Sequence, residues 1–301
     1  MQIAREYKST GMAPIPTPRC QMTDSIWIRR MQAEMGLPKP LLKWAGGKRQ
    51  LLPAIVDRLP PSWNRYFEPF GGGLSVYFGL YRAEKIGSCT LGDANYDLMD
   101  TYRMVRSHPE LVMEILKGWK HNREQFEELR QVRRTSQWTP EDAARFIYLN
   151  RTCFNGLYRV NMQGEFNVPF GKYKNPLICD EENIEATSQA LQRVTMYTGS
   201  FEGCLREAKK GDFVYCDPPY ADVEFTSYTK QRFGPNEQKK LADVLDCLSK
   251  RKVKWMLSNS DVSWVRRRYK KYNIDGVKAR RSINSSGNGR GPVGEVIVRN
   301  Y

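Results

Sequence analysis

Histidine is nearly absent from this 301-residue chain: His108 and His121 are its two examples, and neither sits in a Cys/His cluster. That leaves no recognisable ligand set for zinc, and no metal is expected. The seven cysteines, at positions 20, 89, 153, 179, 204, 216 and 247, are odd in number, scattered, and include no Cys-x-x-Cys pair. A disulfide framework is therefore not expected; reduced thiols in a cytoplasm are. No uninterrupted apolar run approaches the ~20 residues that cross a bilayer, and the N-terminus shows no apolar signal core. No membrane association is expected. The Walker spacing is missing too, so a nucleoside triphosphate is not indicated.

Hydrophobic residues make up 40% of the chain and aromatic residues 12%. This balance indicates an ordered globular protein, long enough to bury a full α/β core and carry a second, smaller unit. The formal net charge is +15, distributed as +6 over residues 1–50, −2 over 51–249 and +11 over 250–301. An excess concentrated at the two ends fits a polyanion-binding face, and the lysines and arginines of the C-terminal part are expected to touch phosphates. Arg266, Arg267, Arg268, Lys270 and Lys271 are mixed with Trp264, Tyr269 and Tyr272. They do not line an apolar helix, which favours nucleic acid over a membrane surface. Residues 1–38, with Pro14, Pro16 and Pro18, read as an N-terminal extension without chemistry.

The apolar run Phe213, Val214, Tyr215, Cys216 reads as a buried strand that ends at Asp217, Pro218, Pro219 and Tyr220. Proline has no N–H and fixes its φ, so the chain leaves the sheet with carbonyl oxygens free beside the carboxylate. Two acceptors pointing one way suit a planar amino group: they occupy its two donors and localise its lone pair. The ring of Tyr220 matches a nucleobase taken out of its stack. Alone, the four residues are also compatible with an ordinary Pro-Pro turn.

Upstream, Lys43-Trp44-Ala45-Gly46-Gly47-Lys48 opens a helical pattern with unpaired N–H groups beside a cation, an arrangement suited to an anionic group. Glu68-Pro69-Phe70-Gly71-Gly72-Gly73 reads as a strand end and a triple-glycine turn where backbone can approach a ligand. Asp93 follows where such folds hydrogen-bond a ribose, a combination that a nicotinamide dehydrogenase shares. The roughly 120 residues between Asp93 and Phe213 exceed a βαβ crossover, so a unit is inserted there. Helices are predicted at 109–119, 123–134 and, behind Thr139 and an N1-type Pro140, at 140–149. Asn155-Gly156 and Gln163-Gly164 predict a ribbon studded with Asn and Arg, residues that read adenine and guanine edges; an ordinary polar hairpin is the alternative. Further strands are expected at 194–197, 254–259, 274–277 and 293–298, and a helix at 236–248.

Five blocks occur in one order: Lys43-Trp44-Ala45-Gly46-Gly47-Lys48, Glu68-Pro69-Phe70-Gly71-Gly72-Gly73, the stretch from Leu149-Asn150-Arg151 to Gly171, Asp217-Pro218-Pro219-Tyr220, and Arg280-Arg281-Ser282-Ile283. In these the chain resembles the DNA adenine methylase (Dam) family of S-adenosylmethionine-dependent N6-adenine methyltransferases, over residues 40–301. The resemblance implies an α/β fold, a Rossmann-like methyltransferase sheet with an inserted helical target-recognition domain carrying a β-hairpin. The catalytic domain would span 39–98 and 185–301, and the DNA-binding insertion 99–184. The family's cofactor contacts carry over to Trp44, Lys48, Phe70, Gly71, Gly72, Gly73, Asp93, Ser200, Phe201 and Asp217. Its base-reading positions match Lys43, Asn155, Leu157, Arg159, Asn161 and Tyr173, with Arg280, Arg281 and Arg290 also expected on DNA. Catalysis would rest on Asp217, Pro218, Pro219 and Tyr220. Asp217 and the Pro218 carbonyl would accept from the N6 amino group of a flipped adenine, and Tyr220 would stack on it. Where this chain has Leu74 the family often has glycine. The expected partner is double-stranded DNA, with GATC as the site and a monomer or weak dimer as the state. A methyltransferase for RNA or cytosine N4, or a non-catalytic DNA-binding protein with a decayed methyltransferase fold, stays open at this point.

Overall fold

The protein was analysed as a computed structural model that describes residues 37–132, 137–220, 233–280 and 292–301. Arg281, Arg290 and most of the N-terminal extension lie outside the described residues. Seven strands form one sheet: β1 (Tyr66–Glu68), β2 (Cys89–Asp93), β3 (Val194–Thr198), β4 (Phe213–Cys216), β5 (Lys254–Ser260), β6 (Asn273–Arg280) and β7 (Pro292–Arg299). Their order is β3-β2-β1-β4-β5-β7-β6. The first five run parallel, and β7 pairs antiparallel with both β5 and β6. This is the expected α/β methyltransferase sheet, with its last two strands as the antiparallel pair read from the sequence.

Both faces of the sheet are covered, which explains why β4 is apolar throughout instead of alternating. Tyr66, Phe213, Tyr215, Met256 and Ile297 enter one core, whereas Phe67, Val214, Cys216, Trp255, Leu257, Val296 and Val298 enter the other. The side-chain period of two thus divides each strand between two buried layers. The first core is shared with helices α1 (Leu52–Val56), α2 (Ser75–Arg82), α3 (Tyr96–Ser107), α4 (Pro109–Gly118), α5 (Arg123–Gln131), α6 (Pro140–Thr152) and α7 (Glu181–Leu191). The second is closed by α8 (Phe201–Leu205), α9 (Pro235–Lys250) and α10 (Ser263–Arg268).

Strand order reverses between β1 and β4, which lie side by side with Tyr66 opposite Phe213 and Phe67 opposite Val214. At such a switch point the loops leaving the two carboxyl ends diverge and open a crevice. Here those loops are the glycine turn after Glu68 and the Asp217 turn after Cys216, so topology brings together two motifs some 150 residues apart in sequence. The helices between β2 and β3 include α6, which begins as predicted with Pro140 at its first position. Thr139 Oγ1 accepts from the Asp142 amide at 3.3 Å and the Thr139 amide donates to Asp142 Oδ2 at 3.1 Å, a reciprocal cap. Beyond α6 the chain makes a ribbon held by bridges Cys153–Phe170 and Val160–Phe166. Residue 98 falls inside α3 and residue 184 inside α7, so two continuous helices run across the boundaries expected for the insertion.

Candidate active site

The glycine turn is built on Asp93. Its Oδ2 accepts from the Gly72 amide at 2.9 Å and its Oδ1 from the Asn95 amide at 2.8 Å, so the carboxylate ties the end of β2 to the turn after β1. Burial raises its pKa and these backbone donors oppose the rise. Gly72 has φ +49°, and a Cβ there would stand 2.8 Å from the Trp44 ring. Glycine is required on both counts. Leu74, standing where the resembled family often has glycine, takes φ 55° and caps α2 with its side chain buried. A left-handed leucine stores strain, here opposed by burial of its isobutyl group. Trp44 stacks on Phe146 and Tyr158 at centroid distances of 6.4 and 5.7 Å, connecting the turn to α6 and the ribbon.

Asp217 faces this turn from the end of β4. Lys48 Nζ lies 2.8 Å from its Oδ1, and the same ammonium donates to the Gly46 carbonyl at 2.7 Å and sits 4.8 Å from the centre of the Tyr220 ring. The Lys48–Asp217 contact is an ion pair by distance, but Oδ1 receives no well-angled hydrogen bond. An ionised carboxylate can accept about four hydrogen bonds, so the Lys48 contact leaves acceptor capacity for a ligand. Burial pushes the Asp217 carboxyl up to about 6, and Lys48 holds it below what burial alone would impose. Glu68, at the end of β1, is deeper still: burial lifts it to about 8 although the Tyr66 hydroxyl donates to its Oε2 at 2.8 Å.

The turn itself is clamped from behind. Gln238 of α9 donates through Nε2 to the Pro219 carbonyl at 2.7 Å, and Asn259 of β5 donates to Gln238 Oε1 at 3.1 Å. Among the described residues no hydrogen bond reaches the Pro218 carbonyl. The Tyr220 hydroxyl donates to Glu295 Oε2 of β7 at 2.6 Å, so the ring is anchored at its far end. On the other side of the crevice Phe70, Phe201 and Phe233 form an aromatic cluster with centroid distances of 5.5, 5.5 and 6.0 Å. Ser200 accepts from the Gly203 amide at 3.3 Å as the cap of α8, which places Phe201. Acids at the ends of β1, β2 and β4, with aromatic faces nearby, fit a ligand that combines a cationic centre with a planar base.

The ribbon after α6 adjoins the same crevice through Tyr158, which stacks on Trp44. Lys43 Nζ stands 3.8 Å over the Tyr173 ring, and Asn155 and Gly156 both adopt positive φ in the short turn Phe154–Gly156. Arg159 is exposed; its Nε donates to Asn167 Oδ1 at 2.7 Å and one Nη to the Asn167 carbonyl at 3.3 Å, which fixes the plane of the guanidinium. Asn161 Nδ2 donates to Glu165 Oε2 at 3.0 Å and its Oδ1 accepts the Glu165 amide at 2.9 Å, shaping the ribbon tip. Leu157 is half-buried, and its carbonyl accepts from the Cys153 thiol at 3.2 Å.

The sequence matches the family described as D12 class N6 adenine-specific DNA methyltransferase over residues 44–283. The chain belongs to this family. It is 39% identical over 275 residues to the Type II methyltransferase M1.LlaDCHI of Lactococcus lactis subsp. cremoris, covering 87% of this chain and 95% of that one. It is 38% identical over 289 residues to the Type II methyltransferase M.MjaIII of Methanocaldococcus jannaschii, covering 87% and 99%. To a DNA adenine methylase of Vibrio cholerae it is 34% identical over 269 residues, covering 86% and 95%.

In this D12-class methyltransferase the sequence-derived site residues fall into two groups. Trp44, Lys48, Phe70, Gly71, Gly72, Gly73, Asp93, Ser200, Phe201 and residues 217–220 converge on the crevice at the switch point, whereas Lys43, Asn155, Leu157, Arg159, Asn161 and Tyr173 share the adjoining loop. Arg280 ends β6 on the edge of the sheet that carries the crevice. Three cations of the basic tract 266–272 are engaged by acids. Arg266 pairs with Asp261, Arg268 with Asp243 and Asp246, and Lys271 with Asp246. Because Asn273 starts β6 opposite Arg299, near the amino end of β5, the end of this tract approaches the edge of the sheet away from the crevice. Arg266, Arg268 and Lys271 neutralise neighbouring acids, whereas Arg267 and Lys270 are exposed. Sequence reading quoted Glu68 within a motif but gave it no role, and missed Phe233, Gln238, Asn259 and Glu295, which act as supports from separate elements and carry no local motif. It also left Phe154, a large apolar side chain exposed on the reading loop, without a role.

Proposed function

We propose that the protein transfers a methyl group from S-adenosylmethionine to N6 of adenine in duplex DNA, within GATC, in the cytoplasm of the cell whose DNA it marks. The observation that carries this reading is the Asp217 carboxylate, paired with Lys48 at the end of β4, beside the Pro218 carbonyl, which receives no hydrogen bond among the described residues. Those two acceptors receive the two N6 hydrogens of an adenine turned out of the duplex and leave its lone pair directed outward. Lys48 keeps Asp217 in the carboxylate form, which can only accept, and the Gln238–Asn259 chain keeps the turn in place before substrate arrives. Tyr220, held by Glu295, supplies the ring that replaces lost stacking, against an unstacking cost of a few kcal/mol. Phe154 is the apolar side chain placed to enter the gap left in the stack.

The donor supplies an already activated methyl on a sulfonium centre. Trp44, the glycine turn, Asp93, Phe70, Ser200 and Phe201 are the residues that would hold it, with the Asp217 carboxylate matching its cationic character. Arg159, its plane set by Asn167, presents donors suited to the O6 and N7 of guanine, a pairing that discriminates by about 1–3 kcal/mol. The test is expression of wild type and Asp217→Ala in a host free of adenine methylation, followed by modification-sensitive sequencing. Wild type is expected to mark GATC adenines, and D217A to fold but leave them unmarked. Methylation of adenine by folded D217A would remove Asp217 from the mechanism; marks on another sequence would remove GATC alone.

A further inference from the structure

Residues 39–48 have no regular secondary structure apart from the start of one short turn, yet they run between all parts of the site. Along six residues this strap presents Lys43 to Tyr173, Trp44 to Gly72 and to Tyr158, and Lys48 to Asp217 and Tyr220. A segment without ladder partners must have its backbone groups satisfied by something else. Here the partners are side chains of helices α6 and α7. The Lys39 amide donates to Asn183 Oδ1 at 2.8 Å, Arg151 donates to the Leu41 carbonyl at 2.6 Å, and Asn150 brackets Lys43.

Asn150 differs from the other two in what else it holds. Its Oδ1 accepts the Lys43 amide at 2.8 Å, and its Nδ2 donates both to the Lys43 carbonyl at 2.8 Å and to the Gly156 carbonyl at 3.1 Å. It is 2% exposed, and these three bonds occupy its acceptor and both of its donors. One amide therefore joins the strap, which carries Lys48, to the turn that carries Asn155 and leads to Leu157 and Arg159. The junction is also closed sterically: a Cβ on Gly156 would lie 2.4 Å from Lys43 Cβ.

We propose that Asn150 is the positioning residue that couples recognition of the DNA site to the placement of Lys48 at Asp217. This inference rests on the reading of residues 154–161 as the base-reading loop. A loop seated on the correct bases holds Gly156 and, through one rigid amide, Lys43. Five residues further along the same strap, Lys48 is then in register with the carboxylate that receives the adenine amino group. A loop poorly seated on a wrong sequence shifts the strap instead, and misplacement of a catalytic group by even about 1 Å can cost on the order of a hundredfold in rate.

The test compares three variants on duplexes containing the site the wild type methylates and on duplexes with one base pair of that site changed. Asn150→Asp keeps the acceptor for the Lys43 amide and removes both donors. Gly156→Ala breaks the same junction from the loop side and leaves Asn150 intact, so it decides the question if N150D does not fold. Asn183→Ala frees the strap at Lys39 without touching the reading loop. N150D and G156A are expected to lower kcat on the correct duplex, and the ratio of kcat/KM between correct and altered duplexes, by about tenfold or more. N183A is expected to lower Tm while leaving that ratio within about twofold of wild type. If N150D and G156A lose only thermal stability and keep the ratio, the coupling role is wrong. A wild type that methylates no adenine in any duplex would overturn the function proposed above instead, so the two failures are distinguishable.

Discussion

In the proposed reaction Asp217 is an acceptor in a place where burial favours its protonated form, and the conflict sets a pH dependence. With its carboxyl pushed up to about 6, the fraction able to accept two-sidedly grows as pH rises through that value. The kcat of methyl transfer is accordingly expected to climb through about pH 6 and level above it. Lys48→Met removes the cation that opposes burial, so the midpoint of the climb should move upward by about one pH unit or more; an unmoved midpoint in single-turnover pH profiles would contradict the role given to Lys48. Glu68 makes a separate prediction, on stability. Its folded-state value of about 8 lies above the 4.5 of the free side chain, so between those values the native state binds the proton more tightly than the unfolded chain. Stability from this group is full below about pH 4.5 and is lost as pH rises through about 8. Asp217 acts in the same direction at lower pH, up to about 6. Glu68→Gln keeps an acceptor for the Tyr66 hydroxyl and removes the titration. Denaturant melts should then show the loss between pH 5 and 8 shrinking by on the order of 3 kcal/mol.

At the scale of elements, the Asp217 turn depends on a helix that contributes nothing to the chemistry. Gln238 is one turn into α9 and reaches the Pro219 carbonyl, while Asn259 at the end of β5 fixes the Gln238 amide. Gln238→Ala removes the hydrogen bond to the half-buried Pro219 carbonyl and releases the turn from behind, at a cost of about 1 kcal/mol. The expected result is a lower Tm together with a fall in kcat while the Kd for DNA stays near wild type; an unchanged kcat would show that the prolines alone fix the turn. This support was invisible in the sequence because it joins positions 219, 238 and 259 on three elements, and nothing at 238 distinguishes a supporting glutamine from a solvated helical one. The turn it supports was legible, since an apolar strand stopping at an acid and two prolines has a local signature. The sheet was legible for the same reason: β4, β5 and β7 are apolar runs, and α6 announces itself through Thr139 and Pro140. The direction of Arg266, Arg268 and Lys271 was not, because a charge count does not reveal Asp243 and Asp246 on the neighbouring helix.

For the whole molecule, the net charge of +15 is a poor guide to where DNA lies, and the topology is a better one. All five parallel strands point their carboxyl ends at the crevice, the ribbon and the end of β6 lie on that edge, and the paired tract after α10 heads for the other. Lys172 and Lys174 are exposed on either side of Tyr173, whereas Arg267 and Lys270 are exposed on and after α10, the helix that leads from the carboxyl end of β5 towards the far edge. These four residues separate the two accounts of the charge. Removing one phosphate-binding cation from a protein–duplex complex reduces the slope of log K against log salt by about 0.9. Lys172→Gln with Lys174→Gln is therefore expected to flatten the slope by nearly two units and weaken binding most at low salt. Arg267→Gln with Lys270→Gln changes net charge equally and should leave the slope where it was. Long-range attraction from those two residues would act at low ionic strength and fade beyond a Debye length of about 10 Å at 0.1 M salt, so the comparison is decided between 0.1 and 0.3 M, on the order of physiological ionic strength. Equal flattening by both pairs in that range would mean that DNA wraps to the far edge of the sheet; flattening by the lysine pair alone confines it to the edge where Asp217 waits.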